Sequence, residues 1–293
     1  MLAETIITPD RRMGIWQYLR DIWNYRDLFG ALVERDVKVR YKQTVLGVFW
    51  VVIQPVFTAG IFSVIFGRVV QMPSEGLPYP LFYLAALIPW TCFANGVAQA
   101  AGSLESNAGL ISKVYFPRLI APGAVIFGTM VDFMIGWFLF NLIAMAWSYW
   151  AVVADPMTQA VRVYWTWKFI PFTVILLTLQ LSTAMGIGLV LAALNAQFRD
   201  VRYVTPFLIQ VGMLISPVIY PLSRLLETRW GEALMMCAYL NPMYGVIESY
   251  RALLAGNYIP YRLVGVNFLV ASALLFCGVA FFRRREERIV DLL

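Results

Sequence analysis

Several stretches of this chain are apolar for at least the length needed to cross a bilayer. The longest runs from Leu119 to Trp147 with one ionisable residue, Asp132. About 20 apolar residues, rising 1.5 Å each, span the ~30 Å hydrocarbon core of a membrane. The spacing predicts six spans, at about 46–70, 81–101, 119–147, 169–194, 203–220 and 263–282. Hydrophobic residues make up 60% of the 293 and charged ones 14%. Soluble domains run nearer ~45–50% and ~25%. The chain lacks the charge to cover a soluble surface, so an all-α integral membrane protein is expected.

The segments between the spans carry their own patterns. Residues 1–44 hold no apolar run of spanning length and lack the order of a secretory signal, a short basic region followed by an apolar core. Ile15, Leu19, Ile22, Phe29, Leu32 and Val33 recur mostly three or four residues apart, with Arg12, Arg20, Asp21, Asp27 and Glu34 between them. That period predicts an amphipathic helix lying in the membrane interface. The other reading, a helix packed on a soluble domain, has no such domain in this chain to pack on. Pro55 predicts a kink in the first span, because proline lacks the backbone donor. Residues 221–260 contain apolar stretches too short to span. Arg224, Glu227, Arg229, Glu232, Glu248 and Arg251 interrupt them. Short half-inserted or surface helices are expected there. The run Arg283 to Arg288 stops the last span.

Loop charge sets an orientation. Six spans put both termini on one side. The terminal side carries eight Lys and Arg in residues 1–44, two in 102–118, two in 195–202 and four after 282, which is 16 of 23. Positive loops stay in the cytoplasm. Both termini are therefore expected there. A seventh span would break that parity.

The chemistry is sparse. The chain has no histidine, which removes Ser-His-Asp and Cys-His catalysis and histidine metal sites. Cys92, Cys237 and Cys277 form no CxxC pair and read as packing residues. No glycine-rich phosphate loop is present, so uphill transport would draw on an ion gradient or on another chain. Asp132 is the one clear charge inside a span. It reads either as a helix-packing contact or as a group facing a substrate path. Gln54, Asn95, Gln99, Asn141, Gln180 and Gln210 read either as interhelical hydrogen bonders or as conduit groups. Among them Gln54, Asn95 and Gln99, with Asp132, are the conduit candidates.

Four stretches together resemble ABC-2-type permeases, and more narrowly their polysaccharide-export branch of O-antigen, capsule and teichoic acid exporters. The first is Glu34-Arg-Asp-Val-Lys-Val-Arg-Tyr-Lys-Gln-Thr-Val-Leu-Gly47, followed by Trp50 and Gln54-Pro55. The others are Leu110 to Arg118, Asn195 to Arg202, and Ser216-Pro217 through Asn241-Pro242. They lie in register along nearly the whole chain.

The resemblance implies a permease domain over 45–293, an amphipathic helix within 1–44 and short external gate helices near 221–260. It implies a homodimer paired with two copies of a separate ATPase that binds ATP and Mg, so no cofactor and no catalytic site on this chain. The implied cargo is a glycan on a polyprenyl pyrophosphate lipid, O-antigen of lipopolysaccharide being the first expectation. Lys113, Tyr115, Phe116, Pro117, Arg118, Arg199, Asp200 and Arg202 are then expected to couple to the ATPase, with the aromatics as anchors. Arg35, Lys38, Arg40 and Lys42 are expected to meet the lipid or pyrophosphate head group. A permease for a drug or small lipid, and an ion-coupled carrier centred on Asp132, are the competing readings.

Overall fold

The computed structural model describes residues 15–42, 47–154, 169–221, 223–224, 229 and 231–292. Among them every regular element is a helix. In chain order these are α1 (Ile15–Asn24), α2 (Arg26–Lys42), α3 (Trp50–Phe62), α4 (Tyr79–Ser106), α5 (Ala108–Ile111), α6 (Ile120–Ala154), α7 (Phe169–Asn195), α8 (Val201–Ile215), α9 (Gly231–Leu240), α10 (Pro242–Ala255) and α11 (Tyr261–Leu292). A 3-10 turn, Gly47–Phe49, leads into α3, and a π-helical segment, Ser63–Val69, extends it.

Five stretches are long and apolar enough to cross a membrane: Gly47–Val69, Tyr79–Ser106, Ile120–Trp150, Ile170–Asn195 and Tyr261–Glu286. They match five of the six expected spans. The expected span at 203–220 is shorter. Its helix, α8, has 15 residues, about 22 Å of rise. Ser216 ends it at φ −79° and ψ 151°. A residue before proline is pushed out of the helical region, and Pro217 comes next.

The core is built around α4, buried along most of its length between α6 and α7. Prolines stand at its start and, as Pro89, inside it. Pro78 precedes the first turn and Pro80 sits inside it, where proline's missing donor is harmless. The pair α7 and α11 approach at the backbone. A Cβ on Gly186 would lie 2.6 Å from the Leu274 carbonyl, and one on Gly278 would meet the backbone of Gly186. Small residues let membrane helices come this close.

Helix length then decides what lies beyond the membrane. α6 has 35 residues and α11 has 32, about 50 Å each against a ~30 Å core. Tyr149 and Trp150 are exposed near the far end of α6, as aromatic residues at a membrane edge are. Counting ~20 residues back from there puts Asp132 near the opposite edge, and the first turns of α6 beyond it.

Those surplus turns share one end of the bundle with α1, α2, the 112–119 turn, the 195–202 turn and the last turns of α11. Arg35 reaches Asn107, Arg118 reaches Glu286 and Arg285 reaches Gln197. This is the basic end. A second apolar core fills it, formed by Tyr18, Leu32, Leu104, Phe116, Ile120 and Phe282 among others. Ile22, Phe29, Leu32 and Val33 of the expected period pack into this core, so α1 and α2 lie on protruding helix ends of the same chain. Residues 1–14 of the expected N-terminal segment lie outside the described residues.

At the opposite end α9 and α10 occupy 231–255, as short helices were expected to. α10 is not on the surface, however. Every residue from Pro242 to Leu254 is buried. Asn241 caps it by accepting from the Met243 amide at 3.1 Å, and Gly256, at φ 66°, ends it.

The contact of α7 with α11 gives a test. Gly186→Val is expected to lower stability by about 1–3 kcal/mol, as overpacking does. Gly265→Ala, which meets open space, is expected to leave stability unchanged. The thermal midpoint of the purified protein in detergent reads both, and equal midpoints for Gly186→Val and the parent would contradict the close approach.

Candidate functional site at the basic end

Three side-chain clusters organise this end. The first joins α2 to the bundle. α2 runs alongside the first half of α6, with Phe29 edge-on to Phe127 at 5.3 Å. Arg40 pairs with Asp132 of α6 and donates to Gln99 of α4 at 2.8 Å. The Tyr41 hydroxyl also donates to Asp132. Burial, and then the carboxylate it serves, push the Tyr41 phenol above its ordinary pKa, so it stays a donor. One turn earlier Arg35 donates to Asp36 and Asn107, both at 2.7 Å.

This end of the bundle holds four of the expected site residues. Asp132 and Gln99 were conduit candidates, and Arg35 and Arg40 were head-group candidates. Arg40, Asp132 and Gln99 bond to one another here, while Arg35, with 45% of its side chain exposed, is held by Asp36 and Asn107. Arg40 and Asp132 leave 22% and 13% of their side chains exposed, and their charges meet each other. Lys38 does point outward, paired with Glu34 at 2.5 Å one helical turn away. That bond holds the exposed Glu34 below the usual carboxylate range. Lys42 is also exposed.

The second cluster is the 112–119 turn. Lys113, Val114 and Tyr115 are exposed, Tyr115 to 57%. Phe116 is exposed to 3% and belongs to the apolar core of this end. Pro117 is buried as well. The expected aromatic anchors therefore separate: Tyr115 faces outward, while Phe116 fastens the turn from below. Arg118 is turned inward too, its guanidinium donating to the Glu286 carbonyl at 2.9 Å.

The third is the 195–202 turn. Phe198, Arg199, Asp200, Arg202 and Tyr203 are exposed. Beside it lies a cleft of about 430 Å³, floored by Ala98, Ala101 and Gly102 and flanked by Glu105, Asn195 and Arg202.

Gln54 and Asn95 take a different place from Gln99 and Asp132. Both are exposed on the outer surface of membrane-crossing helices, and so is Gln210 of α8. Asn141 and Gln180 are buried. At the far end, Arg251 is 2% exposed. It stacks 3.6 Å over the Phe82 ring and donates to Glu248 at 3.0 Å and to the Val218 carbonyl at 2.9 Å. Asn241 donates to Ser216 at 2.9 Å. Thus α10 pins the segment just after α8.

A family model described as ABC-2 type transporter matches residues 27–255. The chain belongs to that family. It is a multi-pass membrane permease. An O-antigen export system permease protein, RfbA, of Myxococcus xanthus is 28% identical over 279 residues, covering 93% of this chain and 98% of that one. A protein of the same name from Klebsiella pneumoniae is 26% identical, covering 91% and 95%. The polysialic acid transport protein KpsM of Escherichia coli is 26% identical, covering 88% and 93%.

Within this ABC-2 permease, sequence reasoning assigned no role to Glu286, Gln197 or Tyr18, which tie the basic end together. Glu286 was visible as an acid inside the basic run 283–288, read as part of a stop signal, Gln197 lay in the 195–202 stretch and Tyr18 in the N-terminal helical period. Arg251 and Glu248 were read as interruptions of apolar stretches, and their spacing of three was the available sign of a pair.

Asp132→Ala leaves Arg40 half-buried without its counter-charge. A loss of about 1–3 kcal/mol is expected. Replacing both, as Arg40→Met with Asp132→Leu, is expected to restore most of it, because the desolvation of two charges is removed together. Denaturant titration of the purified protein decides this. A double variant no more stable than Asp132→Ala would contradict the pairing.

Proposed function

We propose that this chain is the membrane subunit of an ATP-driven exporter of a polysaccharide or lipid-linked glycan, with O-antigen as the first cargo to test. The observation that carries this is similarity along about nine tenths of both chains to permeases named for O-antigen and polysialic acid export. The match runs through α2, both turns and α10 rather than one motif.

The remaining features are consistent with that reading. α8 and the segment 216–220 together supply a sixth span, since α8 starts beside the basic end and Arg251 holds the 216–220 segment at the other. The excess of Lys and Arg then places the basic end and both termini in the cytoplasm of the bacterial inner membrane. Hydrolysis of ATP, with Mg, belongs to a separate ATPase, two copies of which join two copies of this chain.

Polar side chains facing lipid are unfavourable. Exposed Gln54, Asn95 and Gln210 are better satisfied by a second copy or by the cargo, which makes their surface the conduit. Lys113 and Tyr115, with Arg199, Asp200 and Arg202 beyond, form the surface offered to the ATPase. Phe116, Pro117 and Arg118 hold that surface in place. Lys38 and Lys42 remain the cations for a lipid or pyrophosphate head group, each worth about 1 kcal/mol near an anionic surface. Arg35 and Arg40 act by holding α2. An ion-coupled carrier has less support, because Asp132 is paired with Arg40 and Tyr41.

Deleting the chain in its bacterial host is expected to remove the glycan from the cell surface and leave it inside. The parent sequence should restore export. Lys113→Glu with Tyr115→Ala should insert normally and restore less than a tenth of it. Surface labelling with a glycan-specific lectin or antibody reads each. Undiminished surface glycan in the deletion strain would overturn the proposal.

A further inference from the structure

The last turns of α11 do more than end a span. Four arginines and two glutamates occupy Arg283 to Arg288. A basic stop signal needs only to be solvated. Here the helix continues, and its side chains are used on three other elements. The Glu286 carboxylate accepts from the Tyr18 hydroxyl of α1 at 3.1 Å and from the Arg118 amide, at the front of α6, at 2.9 Å. The Glu286 carbonyl accepts from the Arg118 guanidinium at 2.9 Å. Arg285 donates to Gln197, in the turn after α7, at 2.7 Å. Arg283 lies 4.7 Å over the Tyr18 ring. Phe282 is fully buried in the same apolar core as Phe116.

One helix end therefore touches both turns and α1. The Tyr18 phenol is pushed above its ordinary pKa, by burial first and by Glu286 next, so it remains a donor to that carboxylate. Charge-assisted bonds of this kind hold geometry better than neutral ones. The α11 side of these contacts lies beyond residue 255, where the family match stops.

We propose that the end of α11 is a strut, and that Glu286 is a positioning residue for transport. It makes the 112–118 and 195–198 turns move as one body with α1. A push on Tyr115 is then passed to α11 and α7 rather than absorbed by a local bend. This rests on the reading that the two turns meet the ATPase.

Two measurements test it. The first is amide hydrogen exchange on the full chain alone. Glu286→Ala is expected to speed exchange tenfold or more in both turns, although Glu286 itself bonds to only one of them. Glu286→Gln, which keeps an acceptor, should fall between Ala and the parent. The second is glycan moved per ATP hydrolysed in vesicles holding this chain and its ATPase. Glu286→Ala should still assemble and hydrolyse ATP, with the ratio falling tenfold or more and Glu286→Gln partly restoring it. A merely structural residue would lower assembly and leave the ratio of the surviving complex intact.

Should Glu286→Ala not fold, Tyr18→Phe, which removes one hydroxyl, is expected to raise exchange in both turns by a smaller factor. Faster exchange in the 112–118 turn alone, or an unchanged ratio, would overturn the strut. ATPase binding that survives Lys113→Glu with Tyr115→Ala would instead defeat the docking reading and leave the exchange result standing.

Discussion

Helices α6 and α11 are longer than a membrane is thick, and the architecture of the basic end depends on what their surplus turns do. A transmembrane helix satisfies its own backbone and can stop at the water. These do not stop. Their extra turns carry Ile120, Ala121 and Phe282, which are apolar and would be exposed alone. They bury one another and are roofed by α1 and α2. The basic end is in this way a small folded body made from the ends of membrane helices.

Charge then fixes that body to the bundle at chosen points. Arg40 with Asp132 sits near the membrane edge, where a lone charge is unfavourable and a paired one is tolerated. Further out, Arg35 donates to Asn107, the Glu286 carboxylate accepts from the Arg118 amide, and Arg285 donates to Gln197, each a charge held by a neutral partner. At the far end Arg251 does the same for the segment after α8, held between Glu248, the Phe82 ring and backbone carbonyls. An exporter driven from one face needs stiffness at both ends and a path between them.

The spans were legible because apolar length is a direct physical signal. Their ends were less so. α11 was expected to stop near residue 282 and continues to Leu292, because Glu286 and Arg285 find partners on elements far away in sequence. α8 is short because Pro217 acts on Ser216, an effect visible in sequence but not weighed in a count of apolar residues. Within 221–260 the short helices α9 and α10 were legible, while the burial of α10 was not, since an amphipathic pattern does not say what fills the second face. At the site, an acid in a span and a basic segment before the first span were both noticed. That Arg40 and Asp132 are partners could not be read, because 92 positions separate them. Nor does sequence tell which of two adjacent aromatics, Tyr115 or Phe116, turns inward.

The most direct measurement is movement of a polyprenyl-pyrophosphate-linked glycan across vesicles holding this chain with its ATPase subunit. The account predicts movement that needs ATP and Mg, is absent when either protein is omitted, and continues when ionophores collapse every ion gradient. Movement by this chain alone, driven by a proton or sodium gradient and stopped by an ionophore, would contradict it.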